Sequence, residues 1–363
     1  MKSTLLFFTF LFVFSLGHVE LKAQSNEDKA LAKGQEAIRL VDEGKYAEGI
    51  KRLEEAQKLD SKNTTYPYEM AHAYYSQKDY RKAIKYLEPL VKQKTAKENV
   101  YQLIGNSYDL LNEKGKALTT YDDGLKEFPN SGSLHLEKGN MALFKEDYNS
   151  ALAYYEKGIE VDPQFASNYY WAARIYCSST EKVWGVLYGE IFINLERNSK
   201  RSGEISKLLY DTYKGAIKFT SDTSISVSFS KQATMDISNL QKGGEMKMPY
   251  GTFVYEMTMT MAILHEKKID LVSLNRIRSN FVDVYYKNGN DTKYANVLFD
   301  YQQQLKKAGY FEVYNYWLLG KGEEAVFSTW RIENKAKWEE FVAWFNEHKL
   351  TLNEKHKFYR KQY

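Results

Sequence analysis

The stretch that decides the fold runs from residue 98 to residue 165. Residues 98–131 read ENVYQLIGNSYDLLNEKGKALTTYDDGLKEFPNS and residues 132–165 read GSLHLEKGNMALFKEDYNSALAYYEKGIEVDPQF. Aligned without a gap, they match glycine with glycine at 105 and 139, and tyrosine with tyrosine at 121 and 155. The same 34-residue step extends back to residue 30, giving units 30–63, 64–97, 98–131 and 132–165. A repeat of this length predicts stacked units, because one unit cannot bury its apolar face alone.

Residue size follows the repeat. Small residues stand at the eighth position (Ala37, Ala71, Gly105 and Gly139) and at the twentieth (Gly49, Ala83, Ala117 and Ala151). Large residues stand at the twenty-fourth position: Leu53, Leu87, Tyr121 and Tyr155. Small residues let two helices approach closely, and the large ones fill the groove between them. The pattern resembles the tetratricopeptide repeat (TPR), a helix–turn–helix unit of this length.

This resemblance implies a mainly all-α fold. We predict a TPR solenoid over residues 24–199, followed by a helical C-terminal domain of unknown role at 200–363 with one short strand element. A modified fifth unit is expected at 166–199, where Gly189 replaces the large residue and Phe192 a small one. The segment Val183–Leu195 is apolar almost all round, with Glu190 as its one charge, which predicts a buried junction helix.

Two patterns stand out in the C-terminal region. Residues Ile225, Val227 and Phe229 alternate with serines, as in a half-buried strand that needs a partner. Further on, Phe327 and Trp330 recur as Phe341 and Trp344, and the spacing within each pair places both rings on one helix face. We therefore predict helices here, with a break near residues 334–335. Core packing and a ligand surface are both open for these aromatic rings.

The first 23 residues have the pattern of a targeting signal. Lys2 precedes an apolar run from Leu5 to Leu16, and Leu21-Lys22-Ala23 precedes Gln24. This order is typical of a secretory signal peptide over residues 1–23, so we expect export to the periplasm or beyond the cell. The alternative is a membrane anchor, but a run of about 12 residues is shorter than the roughly 20 needed to span a bilayer. No stable membrane span is expected after cleavage.

Charge and motifs limit the function. The 51 basic and 47 acidic residues of the 363-residue chain nearly cancel, and no basic stripe indicates a nucleic-acid partner. The one cysteine, Cys177, excludes an intramolecular disulfide and is expected to be an inert buried thiol. There is no phosphate-cradling glycine loop, nucleophile elbow or zinc pair. The sequence predicts no enzyme, no metal site and no cofactor.

The array offers a surface instead. In TPR proteins the first helix of each unit lines a concave groove, and the resemblance implies that a set of mostly polar and aromatic residues lines it here: Tyr68, His72, Tyr75, Gln102, Asn106, Asp109, Asn140, Tyr170 and Arg174. His72, Asn106, Asn140 and Arg174 occupy one position of consecutive units. Such groups can donate hydrogen bonds to an extended peptide or a carboxylate, and the tyrosines can stack. A generic polar groove without a specific ligand is the alternative.

One difference from the TPR family limits the kinds of partner that the groove is expected to bind. Chaperone-binding members grip a C-terminal carboxylate with a lysine and an asparagine, but Gln102 stands where that lysine would precede Asn106. The leading hypothesis is an exported TPR scaffold that binds a protein or peptide in its groove. The second is a glycan or small-ligand module that uses the aromatic C-terminal domain, with Trp330 and Trp344 as the rings to test. The third is a hydrolase hidden in that domain.

Overall fold

The computed structural model describes residues 25–221, 224–231 and 248–363. The predicted signal peptide at 1–23 lies outside the described residues. In the described parts the protein is mainly α-helical with one antiparallel strand pair, which confirms the predicted fold class. The chain forms two compact units, one ending at Ala96 and the other beginning at Lys97. The domain boundary predicted at residue 200 stays a prediction.

The first unit holds the first two repeats. Its helices are α1 (Asn26–Asp42), α2 (Tyr46–Leu59), α3 (Thr65–Ser76) and α4 (Tyr80–Lys92). Ser25 caps α1, because its hydroxyl accepts from the Asp28 N–H at 3.1 Å. The turn within each repeat has a residue of positive φ, Gly44 and Lys78. Nine apolar or small residues form the core: Ala30, Ala37, Val41, Ile50, Leu53, Ala56, Tyr66, Met70 and Ala73.

The second unit begins with paired helices and continues into the C-terminal region. The pairs are α5 (Glu98–Leu110) with α6 (Lys114–Glu127), α7 (Gly132–Phe144) with α8 (Tyr148–Val161), and α9 (Ala166–Cys177) with α10 (Lys182–Leu195). Next come α11 (Lys200–Ala216), β1 (Ile217–Ser221) and β2 (Ser224–Val227). A π-helical stretch over Tyr250–Glu256 leads into α12 (Met257–Ile263), α13 (Leu271–Lys287), α14 (Asn290–Lys293), α15 (Val297–Lys307), α16 (Phe311–Leu319), α17 (Glu324–Glu333) and α18 (Lys335–Glu347).

Glycine and tyrosine complement each other in the third and fourth repeats. A Cβ atom on Gly105 would lie 2.1 Å from Cε1 of Tyr121, and one on Gly139 would lie 2.3 Å from Cε1 of Tyr155. Both tyrosines are buried. The first two repeats combine a larger eighth residue with a smaller twenty-fourth one: Ala37 with Leu53, and Ala71 with Leu87. The volume lost at one position of the repeat is therefore supplied at the other, which keeps the packing dense.

The fifth pair departs from the repeat because α11 packs against it. A Cβ atom on Gly189 would lie 2.8 Å from Cδ2 of Leu209 and 3.1 Å from Cγ2 of Ile205, both on α11. The large side chain missing from α10 is thus replaced by two from the next helix. Every residue from Val183 to Asn194 is buried, as predicted for a junction helix.

The predicted strand finds its partner directly before it in the chain. Ile217 lies opposite Val227 and Phe219 opposite Ile225 in an antiparallel hairpin. Helix α11 ends at Ala216, directly before β1. The alternation of Ile217 and Phe219 matches the two-residue period of a strand, and pairing with β2 favours that conformation.

Candidate functional site

Side-chain amides on α5 and α7 converge on one carboxylate, that of Glu137. Gln102 Nε2 donates to Glu137 Oε1 at 2.9 Å, and Asn106 Nδ2 donates to the same oxygen at 3.4 Å. Asn140 Nδ2 donates to Oε2 at 3.2 Å. The structure therefore brings together three of the predicted groove residues. They surround a fourth, Glu137, that the sequence analysis did not name.

The oxygen atoms of the two asparagines are used inside the repeats. The Tyr121 hydroxyl donates to Asn106 Oδ1 at 2.5 Å, and the Tyr155 hydroxyl donates to Asn140 Oδ1 at 2.9 Å. Burial, and next the nearby Glu137 carboxylate, raises the pKa of Tyr155 well above its ordinary value, so its hydroxyl stays a donor. Each asparagine thus orients a buried tyrosine as well as facing the surface.

Glu137 keeps the capacity to bind a further donor. A carboxylate offers about four acceptor positions, and three amides occupy part of that capacity. The neighbouring Lys138 pairs with Asp122 at 2.5 Å instead of with Glu137. Within residues 25–221, 224–231 and 248–363, no lysine or arginine neutralises Glu137. The half-buried carboxylate can therefore accept from a partner's backbone N–H or attract a cation.

Arg174 on α9 provides the opposite charge. Its Nη1 donates to the Tyr170 hydroxyl at 3.1 Å, and its guanidinium carbon lies 4.9 Å from the centre of the Trp171 ring. The Tyr170 hydroxyl in turn donates to Glu204 Oε2 at 2.9 Å. Arg174 is exposed and, among the described residues, has no carboxylate partner. This guanidinium can therefore bind an acidic group of a ligand.

The remaining predicted groove residues are Asp109 on α5 and three residues of the first compact unit. Asp109 on α5 pairs with Lys114 at 2.7 Å. In the first compact unit, His72 is exposed on α3, while Tyr68 and Tyr75 are half-buried. The Tyr75 ring meets the Tyr80 ring edge to face, with 5.4 Å between their centres. The role of these residues in binding stays a prediction.

The two tryptophans considered for a glycan surface are stacked on other rings. Trp330 lies 4.3 Å from the ring centre of Tyr316, with 12° between the planes. Trp344 lies 4.3 Å from the ring centre of His348, with 3° between the planes. One face of each tryptophan is thus covered. Helices α17 and α18 meet at residues 334–335, where the sequence predicts the break.

A buried ion pair lies inside the C-terminal region. Arg278 on α13 donates from Nη2 to Glu190 Oε1 at 2.7 Å, and the two residues are 4% and 1% exposed. The same oxygen accepts from Gln302 Nε2 at 2.7 Å and from the Tyr314 hydroxyl at 2.9 Å. The sequence signal for such a pair is Glu190, the one charge in an apolar helix, because a buried carboxylate needs hydrogen-bonding or charged partners. Its position points to a role in the core.

A second buried carboxylate anchors the segment that follows α18. Arg360 donates to both oxygens of Glu156, from Nε to Oε1 and from Nη2 to Oε2, at 2.9 Å each. Glu156 also accepts from the hydroxyls of Tyr176 and Tyr188 at 2.9 and 3.1 Å. Phe358 is fully buried beside this cluster. The segment around residue 360 is therefore part of the core of the second unit.

Comparison with known proteins agrees with the repeat. A family model described as tetratricopeptide repeat matches residues 40–106, and a second with the same description matches residues 132–165. The chain contains tetratricopeptide repeats. No curated protein matches the chain.

Several solved structures are similar to parts of the chain. A thermophilic TPR protein of Thermus thermophilus is 14% identical with a TM-score of 0.42, covering 50% of this chain and 98% of its own. The PilF protein of Pseudomonas aeruginosa is 19% identical with a TM-score of 0.39, covering 48% and 80%. YrrB, a TPR protein with an unusual peptide-binding site, is 17% identical with a TM-score of 0.33, covering 47% and 89%. No function is transferred from likenesses this distant.

Other kinds of site find little support around the TPR units. In residues 25–221, 224–231 and 248–363, no three His, Cys, Asp or Glu side chains are grouped to hold a metal ion. None of the helices described there is long and apolar enough to cross a membrane. Burial raises the pKa of the Cys177 thiol to about 12, so this thiol is unreactive. The half-buried array around Glu137 and the exposed Arg174, on the first helices of the repeats, are the best-defined site.

Proposed function

We propose that this chain is an exported TPR scaffold that binds a protein or peptide along the first helices of its repeats. The array that joins Gln102, Asn106 and Asn140 to Glu137 carries the proposal. It presents an unneutralised carboxylate at the surface of two adjacent repeats. The exposed Arg174 on the next repeat presents a cation.

The chemistry of this surface suggests the kind of segment that fits. A backbone N–H or a basic side chain of the partner would donate to Glu137, while an acidic side chain would pair with Arg174. Trp171, over which Arg174 lies, offers apolar contact at the same place. The partner segment is therefore extended, with a donor and an acid separated by about one repeat. Opposite charges at two fixed points specify its direction.

Export is proposed from the N-terminal sequence. Lys2, the apolar run from Leu5 to Leu16 and the small residue Ala23 support cleavage by the secretory route. The partner is then a periplasmic or extracellular protein. We expect to find this partner in the periplasmic fraction or in the secreted fraction of the cells.

The test uses Glu137→Gln and Arg174→Gln, singly and together. Tagged mature protein, residues 24–363, is used to capture partners from periplasmic and secreted fractions, and the captured proteins are quantified. We expect each single variant to lose about threefold to tenfold of its specific partner and the double variant to lose more. Variants of Asn106 or Asn140 are unsuitable, because they also remove acceptors from buried tyrosines.

Two matched controls carry the same charge changes elsewhere on the repeats. Glu127 ends α6 and Lys145 follows α7, and both are exposed. Glu127→Gln and Lys145→Gln should capture as much partner as the unmodified protein. Equal recovery by the double variant and the unmodified protein would remove this surface from the proposal. Thermal unfolding of all variants confirms that they are folded.

A further inference from the structure

A cleft of about 860 Å³ lies between the start of α11 and helices α16 to α18. It is within the size range of small-molecule sites, roughly 300–1,000 Å³. Its floor and walls include three aromatic residues, Trp317, Phe327 and Trp338. The partner surface proposed above does not use this volume.

The aromatic wall is held in place by its neighbours. Phe327 and Trp338 meet edge to face, with ring centres 5.6 Å apart. Trp317 meets the buried ring of Phe345 at 4.8 Å. A Cβ atom on Gly320 would lie 2.6 Å from Cδ1 of Phe327, so the ring packs directly on the backbone there. A wall fixed in this way loses little side-chain entropy when a ligand binds.

The charges of the cleft are unevenly matched. Two of its lysines have carboxylate partners: Lys207 pairs with Asp211 at 2.9 Å and Lys321 with Glu324 at 3.1 Å. Lys200 and Arg331 also line the cleft, and no described residue supplies either with a carboxylate. The other acid of the lining, Glu204, accepts the Tyr170 hydroxyl at 2.9 Å. Two cations are therefore available to a ligand.

The positive charge of Arg331 lies beside two of the aromatic rings that line the cleft. Its guanidinium carbon lies 5.9 Å from the ring centres of both Phe327 and Trp338. An anion bound by this guanidinium would hold the rest of the ligand beside the two rings. The same place thus combines a planar apolar surface with an unpaired positive charge.

We propose that this cleft binds a small ligand in which a planar ring carries a carboxylate or phosphate group. The ring packs against Trp338 and Phe327, and the anionic group pairs with Arg331 and Lys200. A neutral sugar would leave both cations unmatched, and a nucleic-acid strand needs more than two. The site differs from the Trp330 and Trp344 rings suggested by the sequence, which are stacked elsewhere.

The test is calorimetric titration of the folded mature protein with five probes. Indole-3-acetate joins a ring to a carboxylate, and adenosine monophosphate joins a ring to a phosphate. Indole, acetate and inorganic phosphate carry only one half of the chemistry. We expect indole-3-acetate to bind at least about tenfold tighter than indole and acetate, or adenosine monophosphate at least about tenfold tighter than inorganic phosphate. Raising the salt from about 50 to 500 mM should weaken that binding, because the cations are exposed.

Two variants locate the binding. Arg331→Gln should weaken the tighter joined probe by about tenfold and Lys200→Gln by less, since arginine can bind the anion with two N–H groups. Lys145→Gln, which removes an exposed charge from the repeats, should leave the affinity unchanged. Glu137→Gln should also leave the affinity for the probe unchanged. That result would show that the cleft and the proposed partner surface are independent sites.

Three outcomes would overturn the inference. The first is no binding of either joined probe up to about 10 mM. The second is equal affinity for indole and indole-3-acetate together with equal affinity for phosphate and adenosine monophosphate. The third is binding that survives Arg331→Gln and Lys200→Gln combined. Because both residues are exposed, their replacement is not expected to unfold the protein.

Discussion

The third and fourth repeats and the core around Glu190 use polar groups in opposite ways. In the repeats each buried tyrosine hydroxyl donates to an asparagine 15 residues earlier, and the arrangement recurs at the same positions. Around Glu190 the partners lie 88, 112 and 124 residues away in the chain and occur once. In the repeats, each buried hydroxyl has its own hydrogen-bond partner close by in the chain. In the C-terminal core, three distant donors bond to a single oxygen atom, Oε1 of Glu190. Substitutions should therefore lower the unfolding free energy by moderate amounts in the repeats and by a large amount around Glu190.

The largest effect is expected from Arg278→Met. The variant leaves the Glu190 carboxylate buried without its cation, and breaking such a pair costs about 3–5 kcal/mol of unfolding free energy. Urea denaturation followed by circular dichroism measures the loss. The double variant Glu190→Gln/Arg278→Met should recover part of it, because no unpaired charge remains.

The matched control for this prediction is Arg331→Met. It removes the same charge from an exposed helix and should change the unfolding free energy by less than about 0.5 kcal/mol. A loss below about 1 kcal/mol for Arg278→Met would show that the ion pair is not an essential part of the core, and the contrast between the two regions would fail.

An intermediate effect is expected from Gly139→Ala in the fourth repeat. The added methyl group would lie 2.3 Å from Cε1 of the buried Tyr155, so helices α7 and α8 must separate. Such overpacking costs about 1–3 kcal/mol. Gly115→Ala, where no atom lies within 4 Å of the new Cβ, should instead stabilise the protein by about 0.5 kcal/mol. Thermal and urea unfolding compare the two, and a stabilising Gly139→Ala would refute the packing argument.

The smallest effect concerns pH and His135 on α7. Burial lowers the pKa of His135 in the folded protein, so the unfolded chain binds its proton first as the pH falls. The stability contributed by the neutral ring is present above the unfolded pKa of about 6.5 and is lost as the pH falls toward the folded pKa. His135→Leu should therefore lose less stability than the unmodified protein between about pH 7.5 and 5.5.

Unfolding free energies at a series of pH values check this prediction. The difference between the two proteins should be constant from about pH 7.5 to 8.5, where the imidazole is neutral in both states. An equal pH dependence for both proteins across the acid range would contradict it.

The repeats could be predicted because their packing is periodic and local. The size columns that place Gly139 against Tyr155 lie 16 residues apart and are visible in one sequence. The site was predicted less completely. The register places Asn106, Asn140 and Gln102 in the predicted groove. Glu137, which accepts from their amides, was not among the predicted residues, although it stands 35 residues after Gln102 and therefore in the adjoining repeat. An acid next to three amides in neighbouring registers is the signal that was available.

The C-terminal core could be predicted only as helices with aromatic faces. Glu190 was visible as a lone charge in an apolar helix, but nothing periodic points from it to Arg278. The cleft residues Lys200, Arg331 and Trp338 come from separate helices, and their convergence depends on how those helices cross. No sequence spacing encodes such a meeting.

The pairing of Glu156 with Arg360 has a consequence for the order of events during synthesis. The two residues are 204 positions apart, and a chain emerges from the ribosome amino end first. Throughout that interval the fourth repeat has a core carboxylate whose cation has not yet been made. The second unit can therefore complete its folding only when residue 360 has been made, and until then Glu156 lacks the partner that it has in the folded core.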